Sequence, residues 1–427
     1  FHPRYDDLSN VQSGIENPEG YRFVEFPIYN AIFAGIYKVV PVFSLEAYGR
    51  LTTIVFSLIL IAVIYYLLLK ETSRFGAIVG SLTYAVFPFF VFFSRTVLPD
   101  TAAVSCAFIS IYFLYRSIEK RHPFRDTVYF ILAIVSFAAA VLIKPTAIFY
   151  GLTLLYIFVL SSGFSILKNW KMYVYFTLSF IPLIAWRNYI TQYPQGIPSS
   201  DWLISSVNTY EGVRTIFLRP AFFRWIFFER INNIILGGYM TFMFILGLIT
   251  RSKQYLIHSI FLSALIYLFV FEGGNVQHEY YQIIILPALA IAVGAGAHYL
   301  FTHGKTMIHA AFVTTLMISL FVISWFFSYY QVKNYYNYSY DYVRFATIIS
   351  TLTHEDDKIV TDTLGDTTLL YLSNRRGAPS VFKDLTELKG EGYSYFFTQK
   401  SDVISDLKKD NKFKIVFEND KFALFKL

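Results

Sequence analysis

The chain is poor in charge and nearly free of cysteine. Only 15% of its 427 residues are charged, against 55% hydrophobic residues and a mean hydropathy of +0.47. That balance excludes a water-soluble globule. The single cysteine, Cys106, excludes an intrachain disulfide and reads as an inert buried thiol within an apolar run. No basic patch with interleaved aromatics stands outside the apolar runs, so the net charge of +7 belongs to loops rather than to a nucleic-acid surface. No internal repeat is visible. The chain opens at Phe1 with neither Met nor a signal-like run. An upstream span or signal anchor is therefore expected ahead of it.

What is present is a succession of apolar runs close to the roughly 20 residues that cross a bilayer. They lie near 51–69, 75–93, 101–115, 128–143, 146–162, 172–186, 234–249, 255–271, 282–301 and 307–327, which predicts a mostly α, polytopic transmembrane bundle of about 10 spans. Aromatics make up 20% of the chain, including 34 Tyr and 45 Phe, enough for interfacial belts and a lipid-facing surface.

Lys and Arg accumulate in loops left in the cytoplasm. Lys70 and Arg74 fall in one connection, Arg116, Lys120, Arg121 and Arg125 in another, then Lys168 and Lys171, Arg251 and Lys253, and His303 with Lys305. These are alternate connections, which assigns them to the cytoplasmic face. The other face then carries residues 1 to about 45, Asp100, the Lys144-Pro145 turn, 188–233, 272–281 and everything after about 330. The stretches 1–50 and 188–233 mix apolar residues with Pro and charge, as interfacial helices do. Within the first, 28–45 is amphipathic and Pro41 breaks it.

Beyond Tyr330 the apolar runs shrink to strand length. The reading divides the chain into a transmembrane domain, 1–332, and a small extracytoplasmic α/β domain, 333–427. In the latter, Lys358–Asp362 and Ser394–Thr398 read as strands, Thr367–Leu372 and Ser401–Lys408 as helices. Lys412–Glu418 and Lys421–Leu427 read as a hairpin across Asn419-Asp420. The domain has no Gly-rich phosphate loop and no His/Cys cluster. Asn337-Tyr-Ser339 is a lone sequon.

Charge flanking apolar spans marks either topology or a working site. Asp6 and Asp7 could be a solvated loop, Glu25 could favour the start of the helix after Pro27, and Asp100 after Pro99 could be an N-cap. The case for chemistry is joint, since residues far apart in sequence are assigned to one face. Converging carboxylates suit a general base for a hydroxyl, or oxygen ligands for a divalent cation. Arg50, Lys144 and Arg187 share that face. They could snorkel to the interface, or neutralise a phosphate leaving group. The segment Gly273–Tyr281 adds His278, Glu279 and Tyr280, with Tyr280 and Tyr281 also reading as interfacial anchors.

The order of these features resembles a known pattern. An outer acidic pair precedes Glu25-x-Pro27, then Arg50, then Ser94-Arg-x-x-x-Pro-Asp100, then Leu142-Ile-Lys-Pro-Thr146 and His278-Glu-Tyr-Tyr-x4-Leu-Pro287. Together they resemble the GT-C integral-membrane glycosyltransferases over about residues 1–330. Within that class they resemble the protein O-mannosyltransferase and aminoarabinose lipid A transferase group (dolichyl-phosphate-mannose-protein mannosyltransferase-like). The resemblance implies a plasma-membrane enzyme of the cell envelope. It would pass a sugar, with inversion, from a polyprenyl-phosphate donor to a protein or glycolipid acceptor at the outer face. By position Asp7 (or Asp6) matches the family's catalytic base, Glu25 its second acidic position, Asp100 the acid of the next outer loop and Lys144 a basic residue at that span end. The chain departs from the pattern in having Asp-Asp where Asp-Glu is common. It also has Phe26 and one Pro where some members have Lys and two. A transporter or flippase of a lipid-linked intermediate is the alternative, and an outer scaffold or sensor a third.

Overall fold

The apolar runs of the sequence fold into helices, but among the described residues fewer of these are long and apolar enough to cross a membrane than their number promises. The computed structural model describes residues 25–119, 122–197, 219–410 and 412–427, together with Asn17, Tyr21 and Phe23. They divide into a helical unit, 25–189 with 219–336, and a second unit, 337–427 with 190–197, Asn17, Tyr21 and Phe23.

The helical unit begins with α1 (Ile28–Val39), α2 (Leu45–Glu71), α3 (Arg74–Val86), α4 (Pro88–Phe93), α5 (Pro99–Ser117) and α6 (Pro123–Ile143). Turns at Pro145–Tyr150 and Gly163–Lys168 flank α7 (Gly151–Ser162), followed by α8 (Trp170–Ile190). After Pro220–Ile235 come α9 (Met240–Ile249), α10 (Leu256–Val270), α11 (Glu272–Gln277), a 3-10 stretch Glu279–Ile285, α12 (Leu286–Met307) and α13 (Ala310–Val332). Several starts are written locally. Ser44 and Ser73 cap α2 and α3 by accepting from the Ala47 and Gly76 N–H groups. Pro88, Pro99 and Pro123 open α4, α5 and α6, where a missing N–H costs nothing.

The expectation of about 10 spans is not met. Among the described residues, five helices are long and apolar enough to cross: Leu45–Glu71, Pro123–Ile143, Pro145–Lys168, Glu279–Met307 and Ala310–Leu352. A sixth is reached only if Pro220–Ile235 and Met240–Ile249, bent by 118° across a short break, count as one. The physical reasons differ from run to run. Phe87-Pro88 splits 75–93 into α3 and α4, and α10 has only 15 residues. Helix α5 carries Asp100, Thr101, Ser105, Ser110 and Arg116, while α8 carries Lys171, Pro182 and Arg187. The bend before α9 falls at Gly237 and Gly238, with φ of 59° and 78°.

Helix α12 is the axis of the helical unit. The apolar core of Glu279–Met307 is 83% buried, whereas that of Ala310–Leu352 is 17% buried and turns its side chains outward. Small residues let the neighbours in. A Cβ on Gly76 would come 2.7 Å from the Gly294 carbonyl oxygen, and one on Gly247 would come 1.8 Å from that of Ala292. Without a hydrophobic force between helices in lipid, such backbone approach is how they gain packing energy. The amphipathic stretch at the start of the unit forms α1 and stops short of Pro41, leaving Val39, Val42 and Phe43 exposed.

The second unit is built on a five-stranded sheet of β1 (Lys358–Thr361), β2 (Arg376–Ala378), β3 (Tyr393–Thr398), β4 (Lys414–Glu418) and β5 (Ala423–Lys426), in the order β2-β1-β3-β5-β4. β1 runs parallel to β2 and β3, and β5 antiparallel to β3 and β4. The β4–β5 turn is set by Asn419, whose side-chain oxygen accepts from the N–H groups of Lys421 and Phe422, both at 2.9 Å. Phe345, Ile349, Ile359, Phe397, Phe422 and Leu424 fill one side of the sheet. Phe345 and Ile349 belong to α14 (Tyr340–Leu352), and Leu369 and Leu370 of α15 (Thr368–Ser373) join the same cluster. On the other side lie Val360, Leu388, Phe396 and Phe425, with α16 (Leu385–Gly390) and α17 (Ser401–Asp410).

Candidate active site

Three charged residues separated by long stretches of sequence meet in the helical unit. Lys144 is the residue at which α6 ends, because Pro145 cannot continue it and starts a 3-10 turn instead. Its Nζ lies 2.6 Å from Glu25 Oε1 and 3.6 Å from Asp100 Oδ1. Asp100 sits in the first turn of α5 behind Pro99 and is 1% exposed. Glu25 precedes α1 in an irregular stretch that is tied to α6 where the Phe26 N–H donates to the Leu142 carbonyl at 3.0 Å. Phe26 also packs edge-on against Trp186 of α8, 4.9 Å between ring centres.

A second layer comes from the 272–285 region. The Tyr281 ring centre lies 5.7 Å from Lys144 Nζ, a cation–π contact. Tyr280 packs tilted against Tyr281 at 4.4 Å and stacks on His278 at 5.3 Å, and interacts electrostatically with Lys144 and Asp100. Two carbonyls of the 3-10 stretch accept from tyrosine side chains. Tyr267 donates to the Tyr281 carbonyl at 3.0 Å and Tyr150 to that of Ile284 at 2.6 Å. The buried Gln282 donates to the Asn275 side chain at 2.9 Å, while Arg230 donates to the Val276 carbonyl at 2.7 Å and to Gln282 at 3.4 Å.

The cluster brings two carboxylates to one ammonium. Burial works against charge on Lys144, but Asp100 and Glu25 more than offset it and raise its pKa, so the ammonium keeps its proton. Burial pushes the Asp100 carboxyl up, with Lys144 acting in the opposite direction. Among the described residues neither Asp100 oxygen has a partner at full hydrogen-bond geometry, and Lys144 is its facing cation. Among the described residues no group of three or more His, Cys, Asp or Glu side chains is placed to hold a metal ion. The positive charge between Glu25 and Asp100 is supplied by Lys144.

The remaining sequence candidates fall elsewhere. Asp6 and Asp7 lie outside the described residues. Arg50 is exposed on the first turns of α2, where it acts on Glu46, and Arg187 is exposed near the end of α8. Among the described residues neither pairs with Glu25 or Asp100. His278 is exposed, and Glu279 accepts from the Tyr335 hydroxyl and acts on Arg230. Sequence reasoning treated Tyr281 as an interfacial anchor and missed Tyr150, Tyr267 and Gln282. Their only signal was polarity within otherwise apolar helices.

The fold has counterparts among known proteins. Residues 26–186, less than half of the chain, match the family model described as dolichyl-phosphate-mannose-protein mannosyltransferase. The structure is similar to that of ArnT from Cupriavidus metallidurans in the apo state, with a TM-score of 0.61 over 99% of this chain and 92% of that one at 11% identity. The chain adopts the GT-C fold. The same figures hold for ArnT bound to undecaprenyl phosphate. The archaeal oligosaccharyltransferase AglB from Archaeoglobus fulgidus, in complex with an inhibitory peptide and a dolichol-phosphate, gives a TM-score of 0.56 at 12% identity. There 89% of this chain covers 62% of the other, so this chain spans less than two thirds of AglB. No curated protein matches the chain in sequence. At these identities the likeness to the solved structures carries the GT-C fold and no more.

Proposed function

We propose that the chain is a plasma-membrane glycosyltransferase. It moves a sugar from a polyprenyl-phosphate donor to an acceptor hydroxyl at the outer membrane face, with inversion at the anomeric carbon. The observation that carries this reading is the convergence of Glu25 and Lys144 on the buried Asp100 in one cluster within a GT-C fold. The ArnT structure bound to undecaprenyl phosphate and the AglB complex with a dolichol-phosphate support a lipid phosphate as the donor's anionic part.

The chemistry needs two things of the protein. A carboxylate must take the proton of the acceptor hydroxyl as its oxygen attacks the anomeric carbon, and Asp7 is assigned that role with Asp6 as its neighbour. A cation must neutralise the lipid phosphate as its bond to the sugar breaks on the opposite face, and Lys144 is assigned that one. Attack opposite the leaving group is what inverts the centre. Asp100 and Glu25 keep Lys144 charged and oriented, and Tyr281 covers it.

The test is transfer of labelled sugar from a polyprenyl-phosphate donor in membranes, with Asp7→Asn and Lys144→Met beside the wild type. Both variants should lose transfer. Undiminished transfer by Asp7→Asn would remove that residue from the base role.

A further inference from the structure

Lys144 is already occupied. Its ammonium is held by Glu25 at 2.6 Å and faces Asp100 at 3.6 Å, so two negative charges surround one positive charge. A phosphate oxygen brought to the same Nζ would meet both carboxylates at close range in a water-poor site, where like-charge repulsion is least screened. One carboxylate has to give way before an anion can bind there.

The two differ in their freedom to do so. Asp100 is part of the first turn of α5, follows Pro99 and is buried, so it cannot withdraw without the helix. Glu25 stands in an irregular stretch, its side chain is 25% exposed, and rotation about its own bonds can carry the carboxylate toward solvent. The charges also match. A sugar-phosphate-polyprenol is a phosphodiester and carries one negative charge, as the Glu25 carboxylate does. Exchanging one for the other leaves Lys144 neutralised before and after, and no lone ammonium is left buried at either stage.

We propose that Glu25 is a built-in competitor for the donor: its carboxylate holds Lys144 in the resting protein, the donor's phosphodiester takes its place, and Glu25 thereby sets donor affinity. The exchange makes and breaks no covalent bond. It rests on the assignment of Lys144 to the donor phosphate. It also bears on release. Once the sugar has left, the lipid phosphate is a monoester whose second ionisation, with a pKa of about 6 by analogy with phosphorylated side chains, adds a charge beside Asp100. Returning Glu25 then competes against a poorly matched product.

The test uses the full chain in detergent near neutral pH. The probe is a polyprenyl phosphate methyl ester, which is a monoanionic phosphodiester, and the matching polyprenyl alcohol is the headgroup-free control. Wild type should bind the ester more tightly than the alcohol, and Lys144→Met should erase that difference. In Glu25→Gln the Kd for the ester should fall about ten-fold, equivalent to about 1.4 kcal/mol, while the Kd for the alcohol stays the same and reports an intact fold. Glu25→Ala should tighten binding in the same direction and serves if the glutamine variant fails to fold. An unchanged or raised ester Kd in both Glu25 variants, with the Lys144→Met effect intact, overturns the exchange and leaves the phosphate assignment standing. An ester preference that survives Lys144→Met overturns both.

Discussion

The hydroxyl of Tyr150 donates a 2.6 Å hydrogen bond to the carbonyl of Ile284. Tyr150 closes the 3-10 turn that begins just after Lys144, and Ile284 lies in the 3-10 stretch that carries Tyr280 and Tyr281. One phenol therefore joins the backbone bearing the ammonium to the backbone bearing the rings that cover it. Tyr150→Phe keeps the ring and removes only the bond, leaving a buried carbonyl unsatisfied at a cost of about 1–3 kcal/mol. Thermal unfolding in detergent should show that loss. Steady-state transfer should show a larger rise in donor KM than fall in kcat, because the bond positions the binding groups and touches no reacting atom.

Lys144 stabilises the fold as well as serving the proposed chemistry, and the two roles separate by double substitution. Lys144→Met removes the cation that faces the buried Asp100 among the described residues, and breaking a buried pair from one side typically costs about 3–5 kcal/mol. Adding Asp100→Asn removes the stranded charge. The double variant should recover most of the lost thermal stability and none of the transfer activity. Recovery of both would mean that Lys144 is structural only.

How much of this was legible from the sequence depends on what each residue's signal reports. Composition and the apolar runs reported membrane class. The short apolar runs in Lys358–Asp362 and Ser394–Thr398, with Asn419-Asp420 between two further runs, reported strands and a hairpin that the structure contains. Span number was overstated, because run length is blind to a break such as Phe87-Pro88 and to a bend at Gly237-Gly238. Strand β2, three residues long, is too short for a periodic pattern. At the site, charge beside apolar sequence drew attention to Glu25, Asp100 and Lys144, but their mutual distances have no signature in sequence. The tyrosines beneath them were hidden, since a Tyr that satisfies a carbonyl looks the same in sequence as one at a lipid interface.

Helix α12 gives a prediction independent of the chemistry. A Cβ on Gly296 would lie 1.7 Å from the Met243 carbonyl oxygen of α9, and backbone cannot yield as a side chain does. Gly296→Ala should force α9 and α12 apart and lower stability by about 1–3 kcal/mol, the usual cost of overpacking. Gly35 of α1 is the control, since among the described residues nothing lies within 4 Å of a Cβ placed there. Gly35→Ala should be neutral or stabilising by up to about 1 kcal/mol, because alanine is the better helix former. Parallel melts of the two variants in one detergent decide the matter.

The last expectation concerns pH. Burial raises the pKa of the Asp100 carboxyl above its ordinary value, with Lys144 opposing, so the folded chain holds this proton more tightly than the unfolded chain does. By linkage, the resulting stabilisation is fully present below the unfolded carboxylate value of about 4 and is lost as pH rises through the higher folded value. Wild-type stability should therefore decline across that window relative to Asp100→Asn, which has no proton to lose. The comparison needs only melting temperatures at a series of pH values from about 4 upward. Parallel curves for the two proteins would mean that Asp100 is ionised throughout, held by Lys144 strongly enough to cancel its burial.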